Sequence, residues 1–248
     1  MRLAPTQIAF AAALAPCLPA AFAAGIDDQL ERVTTTDDTG KDPALKKAAI
    51  ALGRDISIAH CAACHGAELN GTAGKHAPDL SDKATLYGRN NLDAEPEQIF
   101  PSDIETIVKY GIRADYPKTR KLSFMPSFAG LDPRQEGGYP TLGGQGLGDL
   151  VECLIVLQGQ AGDAARDKAL YASNCSDCHS RDAKGNPGIG ATDLTSKKYL
   201  YGNDRESIKA SIRESRKGNM RAYEAKLSRV QIKAVSYYLF SVWENAKE

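Results

Sequence analysis

Apolar residues recur at helical steps along the 248-residue chain, and each such stretch predicts a helix that buries one face. From Pro43, Leu45, Ala48, Ala49, Leu52 and Ile56 fall three or four residues apart, predicting a helix that runs up to Cys61. Ile104, Ile107 and Val108 mark a second helix, opened by Ser102-Asp103-Ile104-Glu105 in the pattern of a capping box. Leu147, Leu150, Val151, Leu154 and Ile155 mark a third, closing helix. The plan then restarts. Ala164 to Ala172 turns Leu170 and Tyr171 inward, and Asp204 to Arg216 is helical through Ile208 and Ile212. A second capping box, Ser228-Arg229-Val230-Gln231, opens a terminal helix with Val230, Ala234, Val235, Tyr238, Leu239 and Val242 on its inner face. Ser123 to Phe128 reads as extended, and the glycine-rich Gly137 to Gly148 as a mobile loop. The predicted class is all-α.

The restart is an internal repeat. Cys61, Gly71, Asp79-Leu80 and Tyr87-Gly88 recur 114 residues later as Cys175, Gly185, Asp193-Leu194 and Tyr201-Gly202. The offset falls to 104 at Ile104/Ile208 and to 95 at Met125/Met220, so copy one carries extra chain before its methionine. Shared order with length differences confined to loops predicts two tandem domains of one fold. The expected boundaries are 43–158 for the first and 164–248 for the second, joined by a Gly/Gln/Ala linker over 159–163. Residues 25–42 are polar and acidic and read as a flexible leader.

Residues 1–24 read as a secretory signal. Arg2 gives the positive start, Ile8 to Leu18 is apolar, and Ala21-Phe22-Ala23 fits cleavage near Ala23. No other apolar run approaches the roughly 20 residues of a membrane span. The mature protein is therefore expected to be exported, to the periplasm of a bacterium, with no stable membrane span after cleavage. A formal net charge of zero points away from nucleic acid. Charge is unevenly divided: residues 25–160 carry 14 Lys+Arg against 20 Asp+Glu, and residues 161–248 carry 16 against 11. Such a split can orient a partner on approach.

The chemistry lies in Cys61-Ala62-Ala63-Cys64-His65 and Cys175-Ser176-Asp177-Cys178-His179. Cys-x-x-Cys-His is the attachment sequence of a c-type haem: two thiols add to the porphyrin vinyl groups, and the adjacent histidine falls under the iron. A thioredoxin-type dithiol does not ask for the histidine. A zinc site would need the four cysteines together, yet they stand in separate repeats. The reading is two covalently bound haem c groups, held by Cys61, Cys64, Cys175 and Cys178, with His65 and His179 as proximal iron ligands.

Each iron then needs a sixth ligand or stays open for chemistry. After the signal the chain has two methionines, Met125 and Met220, each between the second and the closing helix of its copy. Core filling is the ordinary use of methionine; number and position favour thioether ligation here. His76 is the competing ligand in copy one, and Lys217 or Lys226 in copy two; His60 adjoins the proximal side. Pro78, and Thr192 in the same register, are expected to fix the ligand imidazoles through their carbonyls. Cys153, left without an evident partner, reads as a buried free thiol.

Together, the Cys-x-x-Cys-His motifs, the Pro78-Asp79-Leu80 turn, the Met125-Pro126 loop and a closing helix with paired aromatics resemble the class I cytochrome c fold. The tandem arrangement resembles periplasmic diheme cytochromes. Copy two, with Asp193-Leu194-Thr195 and Leu200-Tyr201-Gly202 before Met220, is similar to the diheme c-type subunit of bacterial terminal oxidases. Arg221, where the family has proline, departs from that pattern. The resemblance implies single-electron transfer between redox protein partners, such as a terminal oxidase or a periplasmic dehydrogenase, by a soluble carrier or a subunit of such a complex. The alternative is a diheme enzyme of peroxidase or thiosulfate-oxidising type, with one displaceable ligand.

Overall fold

The structure, a computed structural model, describes residues 20–72, 76–82, 99–121, 123–129, 141–163, 168–186, 188–216 and 218–246. Regular structure among them is helical, and β pairing is confined to isolated bridges. The helices are α1 (Ala20–Arg32), α2 (Pro43–His60), α3 (Ala62–His65), α4 (Pro101–Tyr110), α5 (Gly144–Leu157), α6 (Lys168–Asn174), α7 (Ser176–His179), α8 (Arg205–Glu214) and α9 (Arg229–Glu244), with a 3-10 turn over Thr36–Lys41.

Their ends follow from local chemistry. Asp42 caps α2 by accepting from the Ala44 and Leu45 amides at 2.8 and 3.2 Å, with Pro43 in the first turn. Ser228 and Gln231 cap α9 reciprocally, as the sequence predicts: the Gln231 amide donates to Ser228 Oγ at 3.2 Å and the Ser228 amide to Gln231 Oε1 at 2.9 Å. The cap expected at Ser102 is different. Helix α4 starts earlier, at Pro101, and Asp103 accepts from the Phe100 amide at 3.0 Å. Ser102 is capped from a distance instead, donating its amide and hydroxyl to Asp37, each at 2.9 Å. Gly144, Gly146 and Gly148 lie in the first turns of α5, so this part of the expected mobile loop is helix; residues 130–140 lie outside the described residues, as do Tyr87 and Gly88.

The stretch expected to be a flexible leader is ordered over its whole length. Leu30, Thr36 and Thr39 are fully buried. The buried Lys233 of α9 donates Nζ to the Leu30 carbonyl at 2.8 Å and to the Val33 carbonyl, satisfying the orphan carbonyls that end α1. Leu30 has an apolar pocket and Asp37 a helix end to cap, which the polar composition of 25–42 conceals. Of the expected signal, residues 1–19 lie outside the described residues.

Two cores form, and they do not follow the expected boundaries. The first joins Leu30, Leu45, Ala49, Ile56, Cys61 and Val108 to Val235 and Leu239 of α9. The second joins Phe128 and Leu147, Leu150 and Leu154 of α5 to Cys175, Ile208 and Ile212. Helix α9, expected to close the second copy, packs on α2 and α4; α5, expected to close the first, packs on α6 and α8. The contiguous units 43–158 and 164–248 are thus sequence repeats, while each packed unit takes its closing helix from the other repeat. The linker goes with the second unit: Ala161 and Asn203 carbonyls accept from Arg205 and Gln160. In the first unit α2 and α9 cross at Gly53, where a Cβ would stand 2.2 Å from the Ala234 carbonyl oxygen. Only glycine lets the two backbones approach this closely.

Candidate functional site

Helix α2 ends at Cys61, and the single turn α3 then presents Cys64 and His65; α6, Cys175 and α7 do the same for Cys178 and His179. In each motif the first cysteine is buried and the second exposed. His65 Nδ1 lies 2.9 Å from the Pro78 carbonyl oxygen, and His179 Nδ1 lies 2.9 Å from that of Thr192. A carbonyl only accepts, so each Nδ1 carries the proton and each Nε2 keeps a lone pair for a metal. Burial holds both imidazoles below the ordinary histidine value, against a smaller opposing effect of the carbonyl bond. Both are therefore neutral at neutral pH.

The 114-residue repeat is a repeat of geometry. Gly71 donates to the His65 carbonyl and Gly185 to the His179 carbonyl, each at 2.9 Å. Leu80 donates to Leu69 and Leu194 to Ala183, at 2.7 and 2.8 Å. Asp79 accepts from the amide and hydroxyl of Ser81, as Asp193 does from Thr195. Gly71 and Gly185 both sit near φ +80°, and a Cβ at Gly185 would stand 2.5 Å from the Ala191 carbonyl oxygen. The loop therefore closes under the histidine ring in the same way twice.

The methionine loops pack across the repeats. Met220 packs against the first core and Met125 against the second. Met220 and Ile112, just beyond α4, exchange two backbone hydrogen bonds of 2.9 Å. On the other side Ser215 Oγ, just beyond α8, donates to the Met125 carbonyl, and Ser127 Oγ donates to the Arg213 carbonyl at 2.7 Å. Three residues after each methionine the relation repeats: the Tyr223 amide donates to Val108 at 3.1 Å, and the Phe128 amide to Ile212 at 3.2 Å. The expected pairing of each methionine with the haem motif of its own copy gives way to an exchange. The chain beyond α4 reaches α8, and the chain beyond α8 reaches α4.

The other candidates lie elsewhere. His76 is exposed, its ring 4.7 Å from that of Tyr201, with Nδ1 3.4 Å from the Leu200 carbonyl oxygen. Thus it faces the second repeat. His60 is exposed and offers its carbonyl to Tyr223 Oη at 2.9 Å. Lys226 is exposed, and Lys217 lies outside the described residues. Cys153 is buried beside the second core.

Both Cys-x-x-Cys-His motifs and both methionines border one continuous cavity of about 1430 Å³. A pocket for one drug-sized ligand is roughly 300–1,000 Å³. Its walls are apolar around each motif: Ile104, Val108 and Ile112 on one side, Leu154, Ile208 and Ile212 on the other. Burial pushes the Cys61 thiol up to about 11 and the Cys175 thiol up to about 12, with smaller contributions from neighbouring cysteines. A redox dithiol needs the opposite shift. Paired cysteines, oriented histidines and flat apolar space fit two covalently held haems. The fold and site define a diheme c-type cytochrome.

Comparison with known proteins agrees. Residues 50–136 match the family described as cytochrome c, and residues 162–239 match cytochrome c oxidase, cbb3-type, subunit III. The cbb3-type oxidase subunit CcoP of Rhodobacter capsulatus is 32% identical over 231 residues, covering 86% of this chain and 69% of that protein. CcoP of Azospirillum brasilense is 30% identical (84% and 67%), and FixP of Bradyrhizobium sp. ORS 278 is 35% identical (83% and 65%). The chain belongs to this family of diheme c-type subunits and carries two covalently bound haem c groups. It spans about 65% of the length of its FixP relatives. No helix among the described residues is long and apolar enough to cross a membrane.

The motif cysteines and histidines and both methionines singled out from the sequence all border the cavity. Sequence reasoning missed the exchange of the methionine loops, whose one trace is the extra chain before Met125.

Proposed function

We propose that this protein is a periplasmic electron carrier that passes single electrons through two irons of histidine–methionine ligation to a terminal oxidase. His65 and Met220 hold one iron; His179 and Met125 hold the other. The carrying observation is the reciprocal packing of each methionine loop on the opposite haem motif within one shared cavity. Each haem supplies a one-electron iron couple. The chain orients each imidazole through the Pro78 or Thr192 carbonyl, supplies a thioether that raises the potential relative to a second nitrogen ligand, and keeps water out with apolar walls. A closed coordination sphere leaves no site for substrate, which supports a carrier over an enzyme. One cavity for both groups supports electron passage between them inside a single fold. The oxidase partner is inferred from the FixP and CcoP names of its relatives. Export rests on the signal-like sequence of residues 1–24.

The test of ligation is spectroscopic. A Cys175→Ser/Cys178→Ser protein carries the first haem alone. Adding Met220→Ala should abolish its methionine–iron charge-transfer band and open it to carbon monoxide, whereas adding Met125→Ala should leave the band intact. The reverse outcome returns each methionine to its own repeat. For the role, stopped-flow mixing of reduced protein with purified cbb3-type oxidase should show oxidation of both haems; no oxidation removes the oxidase from the proposal.

A further inference from the structure

The two methionine loops meet at one side chain. Arg113 stands three residues past the end of α4, with φ +49° and its amide donating to the Arg120 carbonyl at 3.2 Å. From this fixed backbone its guanidinium spans both loops. Nη1 donates to the Gly218 carbonyl at 3.2 Å, two residues before Met220, and Nη2 donates to the Ser123 carbonyl at 2.5 Å, two residues before Met125. Nε is buried with no partner among the described residues, and the residue borders the same cavity as both haem motifs.

We propose that Arg113 is a positioning residue shared by both iron sites, tying the two methionine loops together so that neither ligation is set independently of the other. Resting on the histidine–methionine reading above, it adds the coupling. A guanidinium has a rigid planar fork of donors, and two carbonyls on different loops fix its orientation. Movement of either carbonyl shifts the fork and with it the other bond. The backbone bonds that hold each loop do not do this: Ile112 reaches the Met220 loop alone, and Ser215 the Met125 loop alone. The Nε–H, without a partner among the described residues, borders the cavity and would be free to donate to an anionic group of a bound haem. A carboxylate is its natural acceptor.

The test is Arg113→Lys in the full diheme protein. Lysine keeps the positive charge and has no fork to hold two carbonyls 95 positions apart in the chain. Both haems should remain covalently attached, because the two carbonyls that Arg113 holds belong to the methionine loops and not to a Cys-x-x-Cys-His motif. The methionine–iron band should weaken at both haems, carbon monoxide should bind both faster, and both midpoint potentials should fall. Amide exchange should accelerate at Phe128 and at Met220 alike. A change at one haem only overturns the proposal, as does wild-type behaviour at both, which would leave Arg113 a source of charge alone. Failure of both Arg113→Lys and Arg113→Gln to load haem also overturns it, since a distal positioning residue does not govern attachment. Absence of methionine–iron bands from the wild type is the distinct failure of the ligation reading itself.

Discussion

The two haem units are built to one plan and reinforced unequally. The first closes with α9, sixteen residues long, crossing the eighteen-residue α2 at Gly53. Around them wrap α1 and the 3-10 turn, pinned by Lys233 and Asp37. The second closes with the fourteen-residue α5, which packs on α6 and α8. There the glycine near the crossing, Gly146, has room: a Cβ would meet Leu170 at 3.6 Å. The motif loops match bond for bond, while the scaffolds do not. The orientation of each histidine is thus kept by a local loop, and stability is supplied by whatever helices are near.

The largest effect expected is from cutting the exchange. A chain ended after Gln160 keeps the whole first repeat and loses α9. Ile232, Val235 and Leu239 are buried there, each contributing roughly 1.5–3 kcal/mol. Their sum is comparable to the whole stability of a domain, about 5–15 kcal/mol. The fragment should show little helical circular dichroism and no methionine–iron band. A cooperative unfolding transition with that band present would mean that the first repeat closes on itself.

Next in size, the glycines should respond with opposite sign. Gly53→Ala forces α2 and α9 apart and should destabilise by about 1–3 kcal/mol in urea unfolding. Gly146→Ala adds an unstrained methyl and should stabilise by about 0.4–1 kcal/mol. Equal effects would erase the contrast between the two crossings.

The helix caps sharpen it further. Ser228→Ala removes the hydroxyl that caps α9 and should cost about 1 kcal/mol. The matching cap on α8 is Asp204, whose carboxyl is held below its ordinary value of 3.8 by the Ser207 hydroxyl and then the Ser207 amide. A carboxyl with a depressed folded value stabilises the protein above its unfolded value, and that contribution is lost as pH falls through the folded one. The second unit should therefore loosen below pH 3.8 through α8, and Asp204→Asn should flatten that response; the Ser228 cap carries no such titration. Helical amide exchange at acid pH separates the two.

The smallest effect belongs to the contact between repeats. Lys198 pairs with Asp82 at 3.0 Å and lies 3.9 Å from Asp79, and its side chain is mostly exposed. Lys198→Ala should cost at most about 1 kcal/mol, and less in high salt.

Residues with local causes were legible in the sequence. The Pro78 and Thr192 carbonyls follow from a turn of fixed length after each histidine, and the Ser228 box from spacing alone. Two readings failed for the opposite reason. The segment before Pro43 has the composition of a leader, yet Leu30 is buried because α9 arrives from two hundred residues away with Lys233 to receive its carbonyls. Ser102 looked like a cap and is itself capped, by Asp37. Neither partner is visible within a helical turn of the residue it serves.

By itself the amino-acid sequence determined the chemistry: two cysteine pairs, two oriented imidazoles, and helices whose apolar faces must be buried. Those follow from bonds and contacts among residues close in the chain. The tertiary structure alone decided which methionine loop packs on which core and which helix closes it. Both copies present nearly equivalent apolar faces and methionine loops, so local pattern is satisfied by either pairing. The choice is made by long-range packing, through the α2–α9 crossing at Gly53 and the carbonyls gathered by Arg113.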